Sequence, residues 1–182
     1  MKQMSDKFIN DRFSQWALMN KNTPFYQYRV ERIHQNQKHL YADLFNQYEI
    51  FRCETSYGEL AYNSISERLL NSEPVIFIVL TNYAESIAVG FIQLYLTYSS
   101  INAIKTTIVN DLFVMPDYRN NGIALKLIEA AVKFAINNKS AIIQLEILQD
   151  NLIAQKLYES VGFKRQTSKS ELNFYSIKLK TE

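Results

Sequence analysis

The sequence predicts a mixed α/β fold in which helices flank one largely antiparallel sheet. Short apolar runs rich in β-branched residues follow one another between residues 75 and 115, and a long helical pattern comes next over residues 123–137. A further apolar strand follows at residues 141–148. A strand–helix–strand unit with a right-handed crossover makes its two strands parallel. The predicted sheet therefore contains one parallel pair within an antiparallel frame.

The composition is that of an ordinary globular domain. The chain has 182 residues, of which 47% are hydrophobic and 21% are charged, and this length can bury a core without disulfides. We find no internal repeat, low-complexity tract or Gly/Ser-rich linker, so we predict one domain over residues 1–182. Cys53 is the one cysteine, which excludes an intrachain disulfide and favours a reducing compartment.

Composition also disfavours several classes of function. The net charge is only +2 and no dense Lys/Arg run occurs, so we expect no nucleic-acid partner. No window is apolar enough to span a membrane, and residues 1–20 lack the apolar core of a signal peptide, so we expect a cytoplasmic protein. His34 and His39 are five residues apart with no cysteine near them, and we expect no metal site. The sequence leaves open whether the chain forms a homodimer.

Elements before residue 75 are predicted less clearly than those after it. Residues 1–24 form an N-terminal extension in which helical spacing of apolar residues runs up to a turn at residues 22–24. Tyr26 to Ile33 alternates as a first strand, and two helices follow at His39 to Arg52 and Glu59 to Leu70.

The second part of the chain alternates strand and helix patterns. Its strands are predicted at Val75 to Leu80, Ser86 to Tyr98, Lys105 to Met115, Ala141 to Leu148 and Asn173 to Leu179. The strand at Ala141 is expected to be buried by composition. Ile123 to Asn137 and Asn151 to Val161 read as amphipathic helices.

The turn between the third of these strands and the next helix has the pattern of an anion site. It reads Arg119-x-x-Gly122-x-Ala124 and leads directly into a helix. A helix start exposes N–H groups without intrahelical partners and carries the positive end of the helix dipole. Gly122 lets the backbone approach a ligand closely, since it has no Cβ. A pyrophosphate could dock there on main-chain donors.

Three sequence elements occur in one order along the chain. They are Asp111-Leu112-Phe113-Val114 on a strand, Arg119-x-x-Gly122-x-Ala124 opening a helix, and Asn151-x-x-Ala154-x-x-Leu157-Tyr158-Glu159-x-x-Gly162-Phe163 after the next strand. Together they resemble the GNAT family of N-acetyltransferases. The resemblance covers about residues 25–180 and implies the acyl-CoA N-acyltransferase fold. In that fold the two central parallel strands splay apart at their C-terminal ends.

The resemblance also implies acetyl-CoA as co-substrate, bound mainly by a core at residues 105–163. Backbone groups of Phe113 and Val114 would bind the pantetheine arm and polarise the thioester carbonyl. Asn151 would help to hold the cofactor, which is compatible with a simple N-cap. Arg119 either reaches a phosphate oxygen or stays a solvated cation. The pyrophosphate would be wrapped by Arg119, Asn120, Asn121, Gly122, Ile123 and Ala124.

Acetyl transfer to an amine requires a proton for the departing thiolate. A phenol, with an ordinary pKa of about 10, can protonate a thiolate whose conjugate acid has a pKa of about 8.5. Tyr158 lies where the related enzymes place such an acid. By spacing alone it reads as a core tyrosine that packs the helix against the sheet.

The base is less clear from the sequence. Related polyamine acetyltransferases place a glutamate where this chain has Asn110, and an amide cannot accept a proton usefully. Asp111 is the nearest carboxylate, but adjacent strand residues point to opposite faces, so it can act as the base only if a bulge rotates it. Otherwise it is a carboxylate hydrogen-bonded beside the sheet or a contact for a cationic acceptor. Glu146, expected to be a buried carboxylate, is a further candidate. We favour deprotonation of the amine through ordered water.

The acceptor is expected to be a small-molecule or protein amine held by residues 25–75. Some side chains in that region could attract a cation, although an ordinary wet helix surface explains most of them. Two other hypotheses stay open: a non-catalytic module that binds acetyl-CoA, and an acetyltransferase toxin acting on aminoacyl-tRNA. The candidate acceptor side chains are Tyr41, Tyr48, Glu49, Glu54, Tyr57 and Glu59.

Overall fold

A computed structural model describes residues 28–53, 63, 67, 74–82, 86–99, 103–166 and 172–179. The helices are α1 (Lys38–Cys53), α2 (Ile123–Asn137) and α3 (Leu152–Ser160). The strands are β1 (Tyr28–Arg32), β2 (Val75–Thr81), β3 (Ala88–Ser99), β4 (Ile104–Val114), β5 (Ile142–Leu148), β6 (Lys164–Gln166) and β7 (Leu172–Lys178).

The strands form one seven-stranded sheet in the order β1-β2-β3-β4-β5-β7-β6. Pairs β1–β2, β2–β3, β5–β7 and β6–β7 are antiparallel. Strands β4 and β5 are parallel, from Thr106 opposite Ile142 to Val109 opposite Leu145. The α2 crossover makes this pair parallel, as the sequence predicts. The divergence of β4 and β5 beyond the ladder stays a prediction.

The described residues fall into two compact units. The loop unit holds residues within 28–94 and 111–130, and the α3 unit holds residues within 95–110 and 131–179. Strands β3 and β4 and helix α2 each contribute residues to both units.

Aromatic packing holds α1 on one face of the loop unit. Tyr41, Phe45 and Tyr48 recur at helical spacing and so share one face of α1. The ring of Phe91 lies 4.9 Å from that of Tyr41 and 5.6 Å from that of Tyr48. Phe113 lies 5.7 Å from Tyr48. This cluster is the core beneath α1, joined by Leu44, Ile76, Ile78 and Leu80.

Helix α2 begins on the other face of the same strands. Gly90 and Phe91 are successive residues of β3 and so point to opposite faces. A Cβ built on Gly90 would lie 3.3 Å from Ile123 Cγ2, at the start of α2. Helices therefore cover both faces of the sheet within the loop unit, as predicted.

The α3 unit is organised around β5 and β7. Tyr175 of β7 is fully buried, and its hydroxyl donates to Glu159 Oε1 of α3 at 3.1 Å. Burial and this hydrogen bond raise the pKa of Tyr175. The contact ties α3 to the strand that pairs with β5.

Two sequence expectations about strands are wrong. Strand β5 is not buried on both faces, because Gln144, Glu146 and Leu148 alternate with buried residues and are exposed. The short strand β6 was not expected, because Lys164-Arg165-Gln166 carries no apolar residue; it forms by pairing with β7.

The predicted helix within residues 1–24 lies outside the described residues. So does the helix from Glu59 to Leu70, except that Asn63 and Glu67 are helical.

Candidate active site

The segment between β4 and α2 is a structured loop. Pro116–Tyr118 forms a single 3₁₀ turn, in which Tyr118 N donates to Met115 O at 2.9 Å and Arg119 N donates to Pro116 O at 3.2 Å. Asn120 and Gly122 then take φ values of 62° and 72°. Both values lie in the left-handed region, which glycine and asparagine tolerate best. The loop therefore reverses direction immediately before the helix.

The first turn of α2 presents main-chain donors. Helix α2 begins at Ile123, and Lys126 N donates to Gly122 O at 3.1 Å as its first helical bond. The N–H groups of Ile123, Ala124 and Leu125 precede that bond and have no intrahelical acceptor. Together with the helix dipole they form a setting that suits a phosphate oxygen.

The polar side chains of the loop contact the protein itself. Arg119 Nε donates to Val114 O at 3.0 Å, and the Arg119 guanidinium lies 4.8 Å from the centre of the Phe51 ring. The Asn121 amide donates to Tyr118 O at 3.2 Å and to Arg119 O at 3.1 Å. Arg119 is exposed and also contacts the protein, so a contact between its guanidinium and a phosphate stays a prediction. The side chains of Arg119 and Asn121 shape the loop, and its main-chain groups offer further donors.

Gly90 allows close packing behind the site. A Cβ at this position would lie 2.8 Å from Phe113 O and 3.3 Å from Val114 Cγ2. Only a residue without a side chain fits there without moving the β4 backbone. Phe113 and Val114 are the residues expected to hold the pantetheine arm. The position of their backbone therefore depends partly on a glycine of the neighbouring strand.

Asp111 is paired with a tyrosine of α1. Tyr48 Oη donates to Asp111 Oδ1 at 2.7 Å, and both side chains are half-buried. Burial, followed by the Asp111 hydrogen bond, raises the pKa of Tyr48 well above its usual value. Asn110 is exposed, and alternation along β4 directs it to the face opposite Asp111. Asp111 therefore faces α1.

The acceptor candidates on α1 divide into three environments. Tyr41 is fully buried and donates to Gln93, so it belongs to the core. Glu49 is buried and forms an ion pair with Arg52 at 3.4 Å. Tyr48, in contrast, is partly exposed and donates a hydrogen bond to the carboxylate of Asp111. Glu54, Tyr57 and Glu59 lie outside the described residues.

The remaining predicted residues lie in the α3 unit. Asn151 caps α3, with its Oδ1 accepting from Ala154 N at 3.1 Å, so its N-cap role is present. Tyr158 is buried and meets the Phe163 ring edge-on at 5.3 Å, as a core tyrosine would. Glu146 is exposed, so the expectation of a buried carboxylate there is wrong. It lies on the solvent side of β5, in alternation with buried Leu145 and Ile147.

Sequence reasoning missed two contacts that shape the site. The Tyr48–Asp111 hydrogen bond joins residues 63 positions apart, and the Arg119–Phe51 contact also joins α1 to the loop. The helical recurrence of aromatic residues in α1 was the available signal for such contacts.

In the described part of the chain, no three His, Cys, Asp or Glu residues come together as a metal-binding group. No helix there is long and apolar enough to cross a membrane.

Comparison with known proteins places the chain in a family. The model of the Acetyltransferase (GNAT) family matches residues 30–163. YhfO of Bacillus subtilis strain 168, an uncharacterised N-acetyltransferase, is 37% identical over 126 residues, which are 69% of this chain and 83% of that protein. A thialysine N-epsilon-acetyltransferase of Mus musculus is 32% identical over 77 residues, which are 42% of this chain and 45% of that protein.

Solved structures show the same fold. The crystal structure of a probable acetyltransferase has a TM-score of 0.72 at 31% identity, and the match covers 76% of this chain and 91% of that one. An N-acetyltransferase of Thermoplasma acidophilum in complex with coenzyme A has a TM-score of 0.60 at 16% identity, covering 84% and 99%. The chain belongs to the Acetyltransferase (GNAT) family and is an acetyl-CoA-dependent N-acetyltransferase.

Proposed function

We propose that the protein transfers the acetyl group of acetyl-CoA to a primary amine by direct attack of the amine on the thioester. The observation that carries this proposal is the loop from Arg119 to Ala124. The side chains of Arg119 and Asn121 contact the protein, and the start of α2 offers main-chain donors to an anion. A pyrophosphate is the anion that acetyl-CoA brings, and a helix start can bind it without a cationic side chain.

The end of β4 is the proposed site of thioester activation. The attacking amine converts the thioester carbonyl into a tetrahedral oxyanion, which needs fixed donors. Backbone groups of Phe113 and Val114 are proposed to bind the pantetheine arm and to stabilise that charge. Support comes from the close approach of β3 at Gly90 and the Arg119 bond to Val114 O, which both restrain this stretch of backbone.

Two proton transfers complete the reaction. The amine nitrogen forms a bond to the carbonyl carbon and loses a proton to ordered water, and the carbon–sulfur bond then breaks. The family motif supports Tyr158 as the group that protonates the departing thiolate. Asp111 is proposed to contact the acceptor amine, since its carboxylate faces α1 and is fixed by Tyr48.

The acceptor class is a primary amine on a polar carrier. Relatives are described as acting on thialysine at its epsilon amine and on aminoglycosides at the 6' position. The present chain matches both over less than half of its length. We therefore propose an amine class, small-molecule or protein-borne, and leave the individual acceptor to a screen.

The proposed function is tested by cofactor binding followed by a turnover screen. We expect acetyl-CoA to raise the unfolding temperature, since a ligand that binds only the folded state stabilises it. We expect thiol release with at least one of spermidine, thialysine, neamine and a short lysine-containing peptide. Stabilisation without thiol release on any of these amines would count against the proposed acceptor class and favour the alternative of a non-catalytic acetyl-CoA-binding module.

The acid is tested separately with Tyr158→Phe. We expect kcat to fall about a hundredfold, as for loss of a general acid, with nearly unchanged affinity for acetyl-CoA. The phenylalanine keeps the aromatic ring that meets Phe163 edge-on, and the unfolding temperature of the variant checks that the fold is retained. Turnover equal to that of the wild type would remove Tyr158 from the acid role.

A further inference from the structure

Two tyrosines on one face of α1 bind different strands through their hydroxyls. Tyr41 donates to Gln93 of β3, and Tyr48 donates to Asp111 of β4 at 2.7 Å. Seven residues separate the tyrosines, which is two helical turns. The Tyr41 contact is buried, with Gln93 only 3% exposed. The Tyr48 contact is half-buried, so a ligand can approach it.

We propose that Tyr48 is a positioning residue for the acceptor: its hydroxyl fixes the Asp111 carboxylate so that this carboxylate receives the acceptor's amino group. The proposal rests on the proposed function and adds to it the residue that orients Asp111. An unrestrained aspartate must lose rotamer freedom when it binds an amine. A carboxylate already held by Tyr48 has lost that freedom before the acceptor arrives.

The chemistry of the pair suits this role. A carboxylate has two oxygens and about four acceptor positions, so it can accept from a phenol O–H and from the N–H of a neutral amine at the same time. Because the pKa of Tyr48 is raised, the phenol stays a neutral donor over the pH range in which amines are acetylated. It therefore orients the carboxylate without adding a charge.

The placement of the pair relative to the proposed reaction centre supports the same role. Asp111 lies two residues before Phe113 on β4, so the two side chains share a face. The Tyr48 ring lies 5.7 Å from the Phe113 ring and 5.6 Å from the Phe91 ring. Tyr48 thus links α1 to the stretch of β4 that is proposed to polarise the thioester. An amine held at Asp111 would lie near that stretch.

The test compares Tyr48→Phe with Tyr41→Phe as its matched control. Both variants keep an aromatic ring on the same face of α1 and remove one hydroxyl. With saturating acetyl-CoA, and with each panel amine that the wild type acetylates, we expect Tyr48→Phe to raise the acceptor KM about tenfold. Its kcat should stay within about twofold of the wild type. Tyr41→Phe should lower the unfolding temperature and leave the acceptor KM within about twofold.

A double-mutant cycle separates positioning from a purely structural tie between α1 and β4. If Tyr48 acts through Asp111, Tyr48→Phe should have little further effect on the acceptor KM once Asp111→Asn is present. Additive effects in the double variant would overturn the proposal, as would equal KM values for Tyr48→Phe and Tyr41→Phe. If the wild type acetylates none of the amines, the proposed function fails as well. If it does acetylate one and only the Tyr48 effect is missing, this inference alone fails.

Discussion

At the scale of single residues, Gly90 is the position least able to accept a side chain among the contacts that define the site. An added Cβ would meet the Phe113 carbonyl oxygen at 2.8 Å, and backbone cannot yield as a flexible side chain can. We expect Gly90→Ala to lower the free energy of unfolding by about 1–3 kcal/mol, as overpacking does, and to weaken acetyl-CoA binding. Chemical denaturation and calorimetric titration measure the two effects.

A substitution farther along the same strand controls for a general effect on β3. Thr97 is a β3 residue that belongs to the other compact unit, so Thr97→Ala serves as this control. We expect it to leave acetyl-CoA affinity unchanged. Equal affinities for wild type and Gly90→Ala would show that the backbone of Phe113 is not part of the cofactor site.

The Tyr48 phenol makes a second prediction at this scale, on the dependence of stability on pH. Burial and the Asp111 hydrogen bond raise its pKa in the folded state, and the neighbouring charges on α1 are Glu49 and Arg52. Above pH of about 10 the unfolded chain loses a phenol proton that the folded chain keeps, so the free energy of unfolding falls as pH rises. Tyr48→Phe should flatten this fall above about pH 10. If the free energy of unfolding fell equally with pH in the wild type and in Tyr48→Phe, the raised pKa of Tyr48 would be contradicted.

At the scale of elements, the capping of α3 separates two roles of Asn151. Its side chain accepts the Ala154 N–H, so Asn151→Ala should lower the free energy of unfolding by about 1 kcal/mol. Asn151→Asp keeps a capping oxygen and should retain stability. Because it adds a negative charge, it should weaken acetyl-CoA binding if Asn151 also holds the cofactor. Unchanged affinity for acetyl-CoA in Asn151→Asp would limit this residue to capping.

Periodicity predicted the elements well where the hydrophobic pattern was strong. Helix α2 spans Ile123–Asn137, as the stripe of apolar residues indicates, and the crossover rule gave the parallel β4–β5 pair. Strand β6 is not predicted from the sequence, because its three polar residues show no hydrophobic alternation. It forms by pairing with β7. The exposed face of β5 was misjudged, although Gln144 and Glu146 alternate with apolar residues. The hydrophobicity of this run favours burial on both faces, whereas its alternation of polar and apolar residues predicts one exposed face.

At the scale of the whole molecule, the sequence predicts the family, which the family model confirms, but it does not predict the contacts that orient the side chains of the candidate site. The acetyl-CoA site itself stays a prediction. Local motifs such as Arg119-x-x-Gly122-x-Ala124 carry their meaning in a few adjacent residues. Tyr48 and Asp111 are 63 positions apart, and no local rule pairs them. The contact between Arg119 and Phe51 is equally hard to predict, because Phe51 lies on α1, far from the loop in sequence. A single sequence therefore predicts the main-chain features of this site better than its side-chain network.

The central claim is that the main chain around Gly122 binds acetyl-CoA, and one calorimetric titration tests it most directly. Gly122 has a φ of 72°, and asparagine tolerates this conformation, so Gly122→Asn adds bulk with little backbone strain. We predict one acetyl-CoA bound per wild-type chain and an affinity at least about tenfold weaker in Gly122→Asn, with similar unfolding temperatures for the two unliganded proteins. Equal affinities in two equally stable proteins would contradict the account.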